Sequence, residues 1–236
     1  MQFKTRHTYD FVKRFLPNDC RRILEVGCGA GELAAQLAQG GYTVIAIDSD
    51  RNSVAAARRL GVDARVATWP DFDERHFDAV LFTHSLHHIH LLHEAVRHAA
   101  DSLVEGGVII VEEFAYESMD EKTLRWFASA IRILKAASLL VEDDPLLAKT
   151  ETLNAWRQDH GHELHTAAEI RAQLEELFGD VVKEETSYYF RYLAAAIVAT
   201  EKRDAILQAL AKQEETLAAD GSIIALGRRF VAAPAR

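Results

Sequence analysis

Four short runs of this sequence are apolar almost without interruption: "RILEV" (22–26), "TVIAID" (43–48), "FDAVLFT" (77–83) and "GVIIVEEF" (107–114). A strand with one wet face alternates apolar and polar residues. A continuous run fits a strand buried on both faces. "DARVATW" reads as a shorter strand between the second and third of these. The intervals carry helix patterns: "GELAAQLAQ" stopped by Gly40-Gly41, "RNSVAAARRL" ending at Gly61, and "LLHEAVRHAADSLV" running to Gly106-Gly107. Asp48, Ser49 or Asp50 can cap the second of these helices. Strands alternating with helices lead to a parallel sheet covered on both faces, which binds ligands beyond the carboxyl ends of its strands.

The second half has a different rhythm. "SMDE" (118–121) fits a capping box of Ser118 with Glu121, followed by Leu124, Phe127, Ile131, Leu134 and Val141 at helical spacing. A polar stretch leads to a second capping box, Thr166 with Glu169, opening "AAEIRAQLEELF", which Gly179 stops. "DVVKEETSYYFRYLAAAI" contains a strand, "EKRDAILQALAKQEETLA" is a helix and "SIIALGRRFVAA" closes as a strand. Residues 115–165 read as a helical insertion or lid over the strand ends, within a single domain spanning 1–236.

Composition narrows the function classes. With 27 Lys+Arg against 36 Asp+Glu, the net charge is −9, which disfavours nucleic acid as a partner despite a small basic patch at "LGRRF". Two cysteines, Cys20 and Cys28, supply neither a disulfide framework nor a cysteine metal site, and no metal is expected. The N-terminus lacks the apolar run of a signal peptide, and no apolar segment reaches the roughly 20 residues that span a bilayer. The expectation is a cytoplasmic protein with no membrane partner.

The chemistry concentrates at "ILEVGCGAGEL" (23–33). A glycine turn between strand and helix lets a ligand approach the backbone. Dinucleotide loops read G-x-G-x-x-G. Here the spacing is Gly27-x-Gly29-x-Gly31, and Glu32 stands where the third glycine belongs. An acid there suits the helix dipole but repels a pyrophosphate, so the ligand lacks phosphates. Asp48 ends the second strand, where an acid takes ribose hydroxyls. Glu25 can hold an ammonium group directly or through water. An adenosine with an amino-acid tail meets these demands.

These residues resemble the class I S-adenosylmethionine-dependent methyltransferases. "LEVGCGAG" looks like their motif I, "IAID" like the following motif, "FDAVLFTHSLHHI" like the strand-four motif and "LVEGGVIIVEE" like the strand-five motif. The likeness covers roughly residues 5–115 well and the last two strands loosely. It implies an α/β, Rossmann-like doubly wound sheet of seven mostly parallel strands with an antiparallel last strand. It also implies S-adenosylmethionine as cofactor, S-adenosylhomocysteine as product and a small-molecule acceptor. The implied cofactor site is Glu25, Gly27, Cys28, Gly29, Gly31, Asp48, Ser49, Thr68, Trp69, Thr83, His84, Ser85 and His88. Many relatives carry an acid after strand three for the adenine amino group. "RVATWPDF" offers Thr68 there, with Asp63 or Asp71 as substitutes, and Trp69 for the adenine face.

The histidine-rich stretch "THSLHHIHLLHEAVRH" sets His84, His87 and His88 at i, i+3 and i+4, one face of a helical turn. His87, His88, Glu112 and Glu113 are candidate bases. Phe114, Tyr116 and Trp126 are candidate pocket linings, and His160, His162 and His165 candidate lid residues. Two other readings stand beside a methyltransferase: a protein that binds S-adenosylmethionine without transferring methyl, as a sensor or partner subunit, and a nicotinamide oxidoreductase, which Glu32 and the glycine spacing oppose. The sequence names neither the acceptor nor the oligomeric state.

Overall fold

In the computed structural model, which describes residues 1–142, 144–162 and 165–233, the apolar runs form the centre of a seven-stranded sheet. β1 (Arg22–Val26), β2 (Thr43–Asp48), β3 (Asp63–Val66), β4 (Phe77–Thr83) and β5 (Leu103–Phe114) are parallel. β6 (Val181–Thr186) lies at the edge, and β7 (Gly227–Ala232) enters antiparallel between it and β5. The order is β3-β2-β1-β4-β5-β7-β6. The chain leaves β1 for β2 and β3, then returns to β4 on β1's other side. This reversal opens a crevice at the carboxyl ends of β1 and β4.

Alternation along each strand divides the core in two. Leu24, Val80, Phe82 and Val111 face α4 (Leu92–Ser102) and α8 (Ala167–Phe178). Ile23, Leu81 and Ile110 face α1 (Phe3–Phe15), α2 (Glu32–Gln39) and α3 (Arg51–Arg59). A third apolar cluster joins α5 (Glu121–Ala136), α6 (Leu146–Lys149), α7 (Leu153–Asp159), α9 (Tyr189–Ala196) and α10 (Arg203–Ala219) around the fully buried Phe127, Trp156 and Tyr189. It therefore draws on two stretches of chain: the one after β5 and the one between β6 and β7. Among the described residues, no helix is long and apolar enough to cross a membrane.

Several local expectations change. β3 stops at Val66, and the next amide, Ala67 N–H, turns to the Asp48 carbonyl. β5 starts earlier than the apolar run, at Leu103, and absorbs Gly106-Gly107 beside a register shift opposite Phe77 and Ala79. Ser118 is not the cap of α5. Asp120 is, accepting from Thr123 N–H at 2.7 Å, while Tyr116–Ser118 form a 3-10 turn. Asp50 caps α3, accepting from the Asn52 and Ser53 amides, and the Thr166–Glu169 capping box is present. After β6 the chain turns at once into α9, because Glu214 on α10 accepts the amides of Tyr188 and Tyr189 at the start of that helix.

Gly31 and Gly29 both sit at positive φ, but their surroundings differ. A Cβ on Gly31 would lie 2.4 Å from Ala57 Cβ, so the glycine lets α2 and α3 pack. A Cβ on Gly29 would meet nothing within 4 Å. Gly31→Ala should cost roughly 2–4 kcal/mol through overpacking and left-handed strain, and Gly29→Ala about 1 kcal/mol through strain alone. Denaturant unfolding of both variants checks this; equal losses would contradict it.

Candidate functional site

The carboxyl end of β5 carries adjacent acids, Glu112 and Glu113, which a strand must aim at opposite faces. Glu112 points to the α1 side and Glu113 to the other. Glu113 Oε1 accepts the amides of Leu86 and His87, and its Oε2 lies 2.6 Å from His87 Nδ1. It thereby fixes the turn Leu86–His88 that follows β4. Glu112, 1% exposed, is the hub of a larger network. Its Oε1 accepts from Arg229 Nε at 2.8 Å, across the β5–β7 pairing. Its Oε2 accepts from Thr8 Oγ1 at 2.6 Å and Arg191 Nη2 at 2.8 Å. Thus α1, β5, β7 and α9 meet on one carboxylate. Arg229 Nη2 continues the network to His7 Nδ1 and the His7 carbonyl.

Beside this network lies the glycine loop. The Gly27 and Cys28 amides both donate to the Ile47 carbonyl, Gly31 N–H donates to the Cys28 carbonyl, and Gly29 N–H donates to Asp48 Oδ2 at 2.8 Å. Phosphate-cradling loops keep such amides turned toward the ligand. Here the protein itself uses them, and one is bonded to a carboxylate, in keeping with a ligand that lacks phosphates. Asp48 Oδ1 takes the Asp50 amide at 2.8 Å, so Asp48 fixes the loop while Asp50 does the helix capping.

Two cavities flank the loop. The first, about 300 Å³, is lined by Glu25, Gly27, Cys28, Gly29, Thr83 and His84 among the expected residues. The second, about 420 Å³, is lined by Gly27, Asp48, Ser49, Thr68 and Trp69, with His84, Ser85 and His88 completing it. Gly27 and His84 belong to both. Of the thirteen expected positions only Gly31 lies away from both cavities, turned toward α3. The sequence offered no signal for Lys4, Thr5 and Thr8 of α1 or Arg191 of α9, which complete the first cavity. They belong to no motif, and threonines at the buried positions of α1 break its apolar stripe.

Other expected residues fall elsewhere. Thr68 Oγ1 donates to Asp71, and Asp63 pairs with Arg65 at the far end of β3. Trp69 donates its indole N–H to the Ala95 carbonyl and meets Phe82 edge-on, so it is a core residue that also lines the second cavity. Phe114 stacks on Tyr188 at 4.8 Å within the third cluster, where Tyr116 packs as well. Trp126 lines a separate groove between α5 and α10. His160 bonds the Trp156 carbonyl and Tyr192 hydroxyl, and His165 ties the 115–165 segment to His87 and Ile89 carbonyls after β4.

The three histidines after β4 do not share a helical face. Only Leu86–His88 are helical, and His84 sits at φ +62°, a conformation that costs a residue with a Cβ about 1 kcal/mol. Neither ring nitrogen of His84 has an aligned hydrogen bond among the described residues. Nε2 lies 3.3 Å from Glu112 Oε2, at ion-pair distance without hydrogen-bond alignment. Burial, then Arg191, lowers the His84 pKa and keeps the ring neutral. Burial also opposes ionisation of Glu112, but Arg191, His84 and Arg229 outweigh it and hold that carboxyl well below the usual range. Glu25, 2% exposed, has one oxygen 3.3 Å from Thr83 Oγ1 and the other, Oε2, with no partner among the described residues. Burial pushes its pKa up to about 8.

A family model described as "Methyltransferase domain" matches residues 3–177. A ubiquinone biosynthesis O-methyltransferase of Bradyrhizobium diazoefficiens is 32% identical over 97 residues, 38% of either chain. A trans-aconitate 2-methyltransferase of Mycolicibacterium gilvum is 44% identical over 69 residues, 28% of this chain and 27% of that one. The chain therefore spans well under half the length of these curated relatives. Among solved structures, phosphoethanolamine N-methyltransferase 2 of Haemonchus contortus with S-adenosyl-L-methionine superposes with TM-score 0.61 at 17% identity, over 98% of this chain and 53% of that one. The [4+2]-cyclase SpnF superposes with TM-score 0.56 at 20% identity, over 98% and 82%. At these identities the structural likeness is one of fold.

The network makes stability depend on pH. Burial lowers the His7 pKa from 6.5 to about 3, so its ring is neutral in the fold. The unfolded chain takes up that proton first. The contribution is complete above pH 6.5 and is lost as pH falls toward 3. Between pH 6.5 and 4.5 the protein should lose about 2 kcal/mol through this residue. Urea unfolding across that range should show the fall, and His7→Gln should flatten it. An unchanged slope in the variant would contradict the assignment.

Proposed function

The chain belongs to the methyltransferase-domain family, and from that premise we propose that it binds S-adenosylmethionine across the paired cavities and transfers the methyl group to a small-molecule acceptor. The observation that carries this is Glu25. A buried carboxyl with one partnerless oxygen, beside a glycine loop whose own amides are largely engaged, fits an ammonium group. In this reading Glu25 and Thr83 hold the amino-acid tail in the first cavity. Asp48 and Ser49 hold the ribose in the second, with Thr68, Trp69, Ser85 and His88 around the base.

When bound, the cofactor supplies a methyl group already activated by a sulfonium. The protein's part is to place the acceptor, exclude water and handle any proton the acceptor atom carries. His84, shared by both cavities, stands where the two halves of the ligand join. The Glu112 carboxylate, 3.3 Å from Nε2, favours the neutral tautomer protonated there, which leaves Nδ1 to take a proton and stabilises the resulting imidazolium. His87 is less suited, since Glu113 already occupies its Nδ1. The segment 115–165, tied to the loop after β4 through His165, forms part of a lid over this site. The free cysteines and the net charge of −9 fit a cytoplasmic enzyme that does not bind nucleic acid.

Calorimetry with S-adenosylhomocysteine tests the reading. At pH 7 the ligand-free Glu25 carboxyl is mostly protonated, since its pKa is about 8. An ammonium placed against it drives the proton off. Binding should therefore release most of one proton, read from the dependence of the heat on buffer ionisation enthalpy. Glu25→Gln should abolish that release and weaken binding by about tenfold or more. No binding at high micromolar concentration would end the proposal.

A further inference from the structure

The first cavity holds more positive charge than the protein around it uses. The Glu112 carboxylate is shared by two buried guanidiniums, Arg191 and Arg229. Arg229 spends Nε and Nη2 on Glu112 and His7 and does not line the cavity. Arg191 does line it. All the hydrogen bonds of its guanidinium among the described residues run through Nη2, to Thr8, Glu112 and, at 3.5 Å, His7. The guanidinium lies over the Phe190 and Tyr188 rings, 5.1 and 5.8 Å from their centroids, which orients its remaining N–H groups without consuming them. Lys4, one helical turn before Thr8 on α1, lines the same cavity and has no ion pair among the described residues. Of the two acids lining it, Glu25 is neutralised by the cofactor's ammonium group in the reading above, and Glu32 is engaged by the Thr5 hydroxyl.

We propose that Arg191 and Lys4 form an oxyanion subsite in this cavity, and that the methyl acceptor is an organic acid docked there through a carboxylate. Arginine presents paired donors matched to a carboxylate, and the apolar and aromatic surroundings of Arg191 strengthen such a pair. Position favours the acceptor over the cofactor's own carboxylate as the anion. Arg191 Nη2 and His84 Nε2 meet the same oxygen, Glu112 Oε2, at 2.8 and 3.3 Å. Arg191 therefore sits one contact from the residue both cavities share, beside the point of transfer. This inference rests on the methyltransferase reading above.

Citrate titrated into protein saturated with S-adenosylhomocysteine, at ionic strength matched with sodium chloride, tests it. Citrate should bind the loaded protein. Arg191→Gln should weaken citrate by about tenfold or more, the loss of a charge-assisted contact, and Lys4→Gln by a smaller factor. Both variants should hold S-adenosylhomocysteine within about twofold of wild type. Lys4 is exposed, so its variant keeps the test valid if Arg191→Gln unfolds. Absence of citrate binding to the loaded wild type would overturn the subsite alone. So would variants that lose S-adenosylhomocysteine yet keep wild-type affinity for 5′-methylthioadenosine, because the cations would then serve the cofactor's tail. Failure of the wild type to bind S-adenosylhomocysteine would overturn both this inference and the reading beneath it.

Discussion

One buried carboxylate organises the site. Glu112 receives Arg229 from the neighbouring strand, Arg191 and Thr8 from two helices distant in sequence, and stands beside His84. Charges at this depth lose several kcal/mol of hydration each, and pairing offsets that loss more than it adds net stability. The network's contribution is therefore placement. It brings α1 and α9 to the crevice of the sheet and sets two cations and a neutral imidazole against the first cavity. Without Glu112, Arg191 and Arg229 would repel each other, and Thr8 of α1 would lose its bond to β5.

The glycine loop is fixed by a second carboxylate. Asp48 bonds Gly29 on one oxygen and Asp50 on the other, so the end of β2 dictates where the loop sits. A loop held this way is shaped before any ligand arrives. Its own amides have little left to offer an anion, and the side chains beside it, Glu25 on one side and Asp48 and Ser49 on the other, line the two cavities.

The parts of this arrangement legible in the sequence are those governed by local pattern. The span of β1, β2 and β4 follows from uninterrupted apolar runs, and the Thr166–Glu169 cap from two residues three apart. Glu25, Asp48 and the glycines stand out because strand-end chemistry has a fixed spacing. What stayed hidden depends on distant partners. Helix α9 forms because Glu214, more than twenty residues later, accepts its first amides, so "SYYFRY" alone reads as well for strand as for helix. Arg191 joins the cavity only through that helix. The spacing of His84, His87 and His88 suggested one helical face, but Glu113 pins His87 on one side of the sheet while His84 turns back to Glu112 on the other. Which of two neighbouring acids serves which face follows from strand alternation, yet their partners become visible only in three dimensions.

The same fold also houses a cyclase, so cofactor binding and methyl transfer are separate claims. The second is tested most directly by incubating the protein with S-adenosylmethionine labelled in its methyl group and a metabolite extract, then finding the labelled product by mass. Label should appear in a small organic acid, formed with stoichiometric S-adenosylhomocysteine. A protein that binds the cofactor tightly yet passes label to nothing would contradict that claim and mark the chain as a cofactor-binding protein without transfer.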